Sequence, residues 1–201
     1  MKTRVVLNVA PLPENAFGSR TLTWWGTIAF MSLEGMGFAL AAGAYLYLRV
    51  LQPSWPMNIP PPDLLPGTLV TILLLISAVP NYFLEHWARA YDIGKVRIGV
   101  VVMTLLGIAP LVVRAFEFPA LRERWDTDAY GSITWFLLGL HTTHLLTDVG
   151  DTIVLAVLLV TRHGEVPKRF TDVSDNAAYW YFVVLSWLPI YFVLYWLPRI
   201  G

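Results

Sequence analysis

Four polar side chains that could take part in chemistry lie within one long apolar segment of the chain: His141, His144, Asp148 and Asp151. Their spacing of +3, +4 and +3 places all four on one face of an α-helix. Imidazole and carboxylate groups are ligands of iron, manganese and zinc, and they also carry protons. The pattern leaves three interpretations open, which are hydrogen-bonded packing between helices, passage of protons or ions, and a metal site.

Glu34 is a carboxyl group in the middle of another apolar segment. Counted from Arg20 and from Arg162, Glu34 and Asp148 lie at about the same depth, and His144 lies one turn away. The sequence therefore predicts a contact between Glu34 and either His144 or Asp148. Because burying a charge in hydrocarbon costs several kcal/mol, we expect a protonated carboxyl that serves in helix packing, in a proton step or in lipid binding.

Five apolar segments are long enough to position these residues across a bilayer, since about 20 apolar residues span its hydrocarbon core. The composition agrees, with 56% hydrophobic and 14% charged residues, whereas soluble domains are about a quarter charged. The predicted spans are 22–48, 64–84, 96–114, 131–161 and 177–197. We therefore predict an all-α polytopic membrane protein in which residues 1–201 form a single transmembrane domain, a bundle of five helices.

Several function classes are disfavoured by composition and pattern. The formal net charge is zero, which offers no basic surface for nucleic acid, and the absence of cysteine excludes disulfides, thiolate metal sites and cysteine nucleophiles. Inverted repeats typical of transporters are not visible in five unlike spans. The histidines form no obvious pair facing each other across helices, as haem ligation usually needs.

The distribution of basic residues predicts that the N-terminus is cytoplasmic and the C-terminus outside. Nine basic residues fall on the inner side and five on the outer side, the outer ones being Arg49, Arg114, Arg122, Arg124 and Arg199. Residues at the inner helix ends are candidates for binding lipid headgroups, namely Arg20, Arg89, Arg97, Arg162, Trp24, Trp25 and Trp87. The alternative for each arginine is that it only determines topology.

Three segments carry short motifs of polar, small and aromatic residues. They are Phe116-Glu117-Phe118 followed by Asp128-Ala129-Tyr130-Gly131-Ser132, by Leu138-Gly139-Leu140-His141 and by His144; then Ser32-Leu33-Glu34-Gly35-Met36-Gly37-Phe38; and finally Trp180-Tyr181-Phe182, Trp187-Leu188, Tyr191 and Tyr195-Trp196. In this order and spacing they resemble subunit III of the haem-copper respiratory oxidases, the family of cytochrome c oxidases and their quinol-oxidising relatives. The chain departs from the family pattern at Asp148, Tyr181 and Val184.

The resemblance implies the five-helix form of this subunit, which catalyses nothing by itself. Haem and copper are then expected in partner subunits, with none in this chain. The expected partners are the catalytic subunit I, subunit II, phospholipid held between the helices and a larger respiratory supercomplex. The implied role is to stabilise the catalytic subunit and to support proton uptake in the inner membrane of a bacterial cell. Glu34 would be the family's intramembrane carboxyl that reacts with carbodiimides.

Two alternatives remain beside this interpretation. One is a subunit III-like protein of a nitric oxide reductase system, which would differ in its electron acceptor and partner chain. The other is an independent membrane carrier or metalloprotein built on Glu34, His141, His144 and Asp148.

Overall fold

The computed structural model describes residues 22–57, 59–161 and 166–200. In these ranges there are five long helices and no strand; the helices are α1 (Leu22–Leu51), α2 (Leu64–Arg89), α3 (Ile93–Ala120), α4 (Ala129–Val160) and α5 (Pro167–Tyr191). All five are long and apolar enough to cross a membrane. The prediction of an all-α, polytopic membrane protein is confirmed.

The helices extend beyond the apolar spans that hydropathy picks out. Helix α5 begins at Pro167, in a polar stretch well before the predicted span at 177–197, and proline is favoured at a first helical position because its missing N–H needs no partner there. Helix α3 continues past the predicted end at residue 114 as far as Ala120. At its far end α5 passes into a π-helical turn, Phe192–Trp196, and a 3₁₀ turn, Leu197–Arg199.

Polar residues are accommodated within the apolar helices mainly through their own backbone. The hydroxyl groups of Ser32, Thr71, Thr104 and Thr142 each donate to the carbonyl oxygen four residues earlier, at distances of 2.6–2.9 Å. Such bonds satisfy a hydroxyl without a partner helix, which the absence of water in hydrocarbon requires.

Four of the helices form the packed part of the bundle. Helix α2 packs against α3 and α5, α4 packs against the same two helices, and α1 lies outside them against α4 and α5. Helix α1 buries only Phe38, Ala41 and Tyr45, all in its second half. Thr23, Gly26, Thr27 and Phe30, in the first half of α1, line a cavity between α1, α4 and α5.

Two glycines allow close approach between these elements. A Cβ atom on Gly107 of α3 would lie 2.7 Å from Val149 Cγ2 of α4, and one on Gly67 of α2 would lie 2.5 Å from the Tyr195 ring. Both separations are shorter than van der Waals contact, so a larger side chain at either position would require the neighbouring side chain or helix to shift.

Candidate functional site

Glu34 and His144 meet between α1 and α4. His144 Nδ1 lies 2.9 Å from Glu34 Oε1, and the Tyr179 hydroxyl of α5 donates to Glu34 Oε2 at 2.8 Å. The Phe38 and His144 rings meet in an edge-to-face arrangement with 4.8 Å between their centroids. Both carboxyl oxygens thus have a partner, and the predicted contact between Glu34 and His144 is confirmed.

Asp148 lies one turn along α4 from His144 and makes a separate contact. Its Oδ1 accepts a hydrogen bond from Asn176 Nδ2 at 2.9 Å, and Thr152 Oγ1 donates to Asn176 Oδ1 at 3.2 Å. Asp148 is 2% exposed, and its Oδ2 has no hydrogen-bond partner. The partner on α5 is Asn176, and no hydrogen bond joins Asp148 to Glu34 in the described ranges.

His141 belongs to a different cluster from His144, although both share one face of α4. Its Nε2 donates to the Val183 carbonyl oxygen at 3.0 Å, which leaves Nδ1 to accept from Arg114 Nη2 at 3.1 Å. Both ring nitrogens are therefore engaged, and the ring is fully buried. The four polar residues of α4 do not converge on one site.

Arg114 and Glu117 form a buried ion pair beside His141. Arg114 Nη1 donates to Glu117 Oε2 at 2.7 Å, and the Tyr195 hydroxyl donates to Glu117 Oε1 at 2.5 Å. The guanidinium carbon lies 4.1 Å from the centroid of the Trp187 ring, a separation suited to a cation–π interaction. These contacts tie α3 to α4, α5 and the π-helical turn.

The structure corrects the predicted end of the third span, which was Arg114. Arg114 lies inside α3 and is 1% exposed, because α3 does not end at residue 114. The ion pair could have been predicted from the i, i+3 spacing of Arg114 and Glu117. If the helix continues past Arg114, this spacing places the two side chains next to each other.

A cavity of about 950 Å³ lies between α1, α4 and α5. Glu34, His144, Asp148 and Asp151 line it from α1 and α4. Helix α5 adds polar residues that the sequence did not single out, namely Arg169, Asp172, Asp175, Asn176 and Tyr179. Among the residues that the structure describes, no three histidine, aspartate or glutamate side chains are grouped so as to hold a metal ion.

The candidate headgroup residues are placed differently from one another. Arg97 Nε donates to the Leu159 carbonyl oxygen at 2.7 Å, which ties α3 to the end of α4. Arg89 is exposed and pairs with Glu85 at 2.5 Å. The aromatic candidates are also at the surface: Trp25 is exposed, and Trp24 and Trp87 are half-buried. Arg20 and Arg162 lie outside the described residues.

The motif that leads into α4 fixes the start of that helix. Asp128 caps it by accepting from the Gly131 backbone N–H at 2.7 Å, and Ser132 Oγ donates to the Trp125 carbonyl oxygen at 2.7 Å. Tyr130 is fully buried. A side chain on Gly131 would overlap the Arg124 carbonyl oxygen, so the preceding loop can lie against the helix only if glycine is present.

The tryptophans of the α5 motif join α5 to α2. Trp180 Nε1 donates to Ser77 Oγ at 2.8 Å, and Trp187 Nε1 donates to Thr71 Oγ1 at 2.8 Å. Gly139, the remaining motif residue, has nothing within 4 Å of a hypothetical Cβ atom. Ser132, Trp180 and Trp187 thus hold neighbouring segments of the chain together.

Comparison with known proteins agrees with these motifs. The sequence model of the family described as cytochrome c oxidase subunit III matches residues 47–199. The chain is 29% identical to cytochrome c oxidase subunit 3 of Corynebacterium diphtheriae over 181 residues, which cover 85% of each chain. It is 24% identical to the protein of the same name from Thermostichus vulcanus over 177 residues, 87% of each chain. For the Synechocystis relative the identity is 28% over 200 residues, 94% of this chain and 83% of the relative. With α2 to α5 inside the matched region, the chain belongs to the cytochrome c oxidase subunit III family.

Proposed function

We propose that this chain is the non-catalytic accessory subunit III of a haem-copper terminal oxidase in the aerobic electron transport chain of a bacterial inner membrane. The observation that carries the proposal is the family match over residues 47–199. The relatives named above are cytochrome c oxidase subunits, which favours an oxidase over a nitric oxide reductase system as the parent complex.

In this proposal haem and copper lie in partner subunits. His141 does not suit axial ligation of haem, since both of its ring nitrogens are engaged. The chain's contribution is then structural: it packs against the catalytic subunit, subunit II completes the core, and phospholipid fills gaps at the helix surfaces.

Support for a packing role comes from a cluster of buried contacts that joins α3, α4 and α5. The buried Arg114–Glu117 pair, with His141, Trp187 and Tyr195 around it, fixes the relative positions of three helices. A subunit that keeps one shape in the membrane can hold a neighbouring catalytic subunit in its active form during turnover. In the proposal this also preserves proton uptake by the catalytic subunit.

Purification of the tagged chain from its native membrane tests the proposal. We expect haem- and copper-bearing chains to co-purify, measured by the reduced-minus-oxidised haem spectrum and by copper content per chain. A preparation with an identical tag on an unrelated membrane protein is the control. If no haem or copper accompanies the chain in mild detergent, the proposal is wrong.

Loss of the chain distinguishes an accessory from a catalytic role. We expect an oxidase that lacks it to keep its initial rate of oxygen consumption but to inactivate faster during turnover. The same preparation, assayed with reduced cytochrome c and with quinol, identifies the electron donor. A complete loss of the initial rate in an otherwise assembled complex would contradict the accessory role.

The topology stays a prediction that the absence of cysteine makes simple to test. Single substitutions Asp126→Cys, in the α3–α4 loop, and Tyr91→Cys, in the α2–α3 turn, provide one thiol each. With the N-terminus cytoplasmic, a membrane-impermeant maleimide added to intact cells should label the first variant and not the second. The reverse pattern would invert the orientation.

A further inference from the structure

The Tyr195 hydroxyl group is held against a buried proton acceptor. It donates to Glu117 Oε1 at 2.5 Å, and both side chains are fully buried. Arg114 Nη1 donates to the other oxygen of the same carboxyl group at 2.7 Å, and a neighbouring positive charge favours the charged form of a carboxyl group. The phenol therefore has a base as its hydrogen-bond partner.

This contact suits the one-electron oxidation of a tyrosine. A phenol that has lost an electron is a strong acid, so tyrosine is oxidised readily where a base takes its hydroxyl proton. Protons are transferred between groups that already lie within hydrogen-bond reach of each other. Glu117 can take the proton of Tyr195 without a movement of either side chain.

A row of oxidisable rings leads away from Tyr195. The centroid of the Tyr191 ring lies 5.3 Å from that of Tyr195 and 6.1 Å from that of Trp187. Tyr191 is half-buried, whereas the two rings beside it are fully buried. Since electrons pass between phenol and indole rings at such separations, Tyr191 connects the buried phenol to the surface of the helix bundle.

The charges and partners around each ring decide where an oxidising equivalent comes to rest. The guanidinium carbon of Arg114 lies 4.1 Å from the centroid of the Trp187 ring, and a neighbouring positive charge disfavours the cation that indole forms on oxidation. Trp187 and Tyr191 each have a threonine hydroxyl group of α2 as hydrogen-bond partner. Of the three rings, Tyr195 alone is bonded to a carboxyl group.

Tyr179 provides a comparison within the same chain. Among the residues that the structure describes, it is the other tyrosine that donates to a carboxyl oxygen, Glu34 Oε2 at 2.8 Å. The rings that pack against Tyr179 belong to Phe30 and Phe182, and a phenyl ring is too difficult to oxidise to pass on an electron. Of the two tyrosines, Tyr195 combines a proton acceptor with oxidisable neighbours.

We propose that Tyr195 is a redox-active tyrosine that takes up oxidising equivalents. One electron leaves through Tyr191 to a one-electron oxidant such as an oxygen-centred radical, which is thereby reduced. The O–H bond of Tyr195 breaks and its proton binds Glu117 Oε1, which leaves a neutral tyrosyl radical. One electron from a reductant such as a quinol, with the proton returned by Glu117, restores the phenol.

The physiological part of this inference rests on the proposed function, because a partner that reduces oxygen is the source of the oxidant. The redox chemistry of Tyr195 depends on its surroundings alone. A photochemical oxidant can therefore replace the partner in a test.

Flash photolysis followed by electron paramagnetic resonance tests the site. The chain, with any subunits that accompany it, is placed in lipid nanodiscs and oxidised with tris(bipyridine)ruthenium(III), which a light flash generates in the presence of persulfate. Exposed tyrosines such as Tyr47 and Tyr82 give radicals that added ascorbate reduces at once. We expect a second tyrosyl signal that ascorbate reduces slowly, because Tyr195 is fully buried.

Three single substitutions assign the slow signal. Tyr195→Phe keeps the ring and leaves Glu117 paired with Arg114, and it should abolish the signal. Tyr191→Phe interrupts the row of rings and should lower the yield of the signal. Tyr179→Phe is the matched control, since it also removes a phenol that donates to a carboxyl group, and it should leave the signal unchanged. The thermal midpoint of each variant verifies that it is folded.

Three results would overturn the proposal. Absence of a slow signal in the wild-type chain would show that Tyr195 is not oxidised, a result that needs no variant. A signal of unchanged size in folded Tyr195→Phe would assign the radical to another residue. Equal losses in Tyr179→Phe and Tyr195→Phe would deny any role to the neighbouring rings. Co-purification of haem and copper is measured separately, so either proposal can fail without the other.

Discussion

Glu34 Oε1 and His144 Nδ1 lie 2.9 Å apart and join α1 to α4. At about 1.5 Å per residue, Glu34 lies about 18 Å along α1 from Leu22. One proton lies between the two atoms, either on the carboxyl or on the ring. With Tyr179 donating to the other oxygen, the carboxyl group links α1 to both α4 and α5. Helix α1, which buries few side chains of its own, depends on this link for its position.

Replacement of Glu34 tests whether the link needs a charge. In Glu34→Gln the amide can meet both Tyr179 and His144, so we expect stability close to that of the wild type. Glu34→Ala leaves Tyr179 and His144 with only their mutual contact of 3.4 Å, and a poorly satisfied buried polar group costs about 1–3 kcal/mol. Thermal unfolding of the purified chain in detergent measures the difference. An equal loss in both variants would show that a charged or proton-transferring carboxyl is required.

The Arg114–Glu117 pair should be among the most sensitive positions for stability. Arg114→Met leaves a carboxyl buried without its cation, and removing one partner of a buried ion pair costs about 3–5 kcal/mol. We expect a lower denaturation midpoint and less protein in the membrane. Changing Glu117→Gln in the same chain should recover part of the loss, because no unpaired charge then remains buried.

Arg124→Met provides the comparison for this pair. Arg124 also pairs with an aspartate, Asp126, at 3.0 Å, but its side chain is 75% exposed. Exposed pairs contribute at most about 1 kcal/mol, so this variant should unfold almost like the wild type. Similar losses in the Arg114 and Arg124 variants would mean that burial of the Arg114 pair has no special effect on stability.

Asp92 at the start of α3 should make stability depend on acid pH. The Lys95 side chain and backbone hydrogen-bond to this carboxyl and hold its pKa below the usual 3.8. Since the folded-state pKa is the lower one, the carboxylate stabilises the fold above about pH 4, and this stabilisation is lost as the pH falls through the folded-state pKa.

Asp92→Asn isolates the charge, because asparagine caps helices about as well as aspartate. The thermal midpoint of the wild type should exceed that of the variant at neutral pH, and the two should approach each other as the pH falls below the usual aspartate value of 3.8. A difference that stays constant over this range would assign the effect of Asp92 to something other than its ionisation.

The sequence alone was sufficient to predict the number of helices and one contact beside the cavity, between Glu34 and His144. Each helix contains an apolar run long enough to cross a bilayer, and that property belongs to the segment alone. The Glu34–His144 contact followed from matching their depths, because polar groups in hydrocarbon must find each other. Matching depths identifies residues that could meet, but it cannot decide which neighbouring helix offers the better partner. For Asp148 the partner is Asn176 of α5, which this reasoning did not identify.

The rest of the cavity could not be predicted because its residues look like those of a loop. The first turns of α5 carry Arg169, Asp172 and Asp175, and hydropathy reads such a stretch as solvated. The structure folds it as helix and turns it towards α4. The third span was predicted to end at Arg114 for the same reason, since a charge near the end of an apolar run resembles the beginning of a loop.

Glycine substitutions test how closely the helices approach. In Gly107→Ala the new methyl group meets Val149 at 2.7 Å and Trp180 at 3.4 Å, so the Val149 side chain or the packing of α3 on α4 must shift. Overpacking of this kind costs about 1–3 kcal/mol. We expect a lower thermal midpoint, measured on the purified chain in detergent.

Gly139→Ala is the matched control, because the same methyl group on α4 meets nothing within 4 Å. Alanine favours helix over glycine by about 1 kcal/mol, so this variant should be as stable as the wild type or more so. If both variants lost stability equally, the backbone freedom of glycine would matter more than the α3–α4 approach. If Gly107→Ala had the same thermal midpoint as the wild type, the prediction that Gly107 is needed for close packing against Val149 would be wrong.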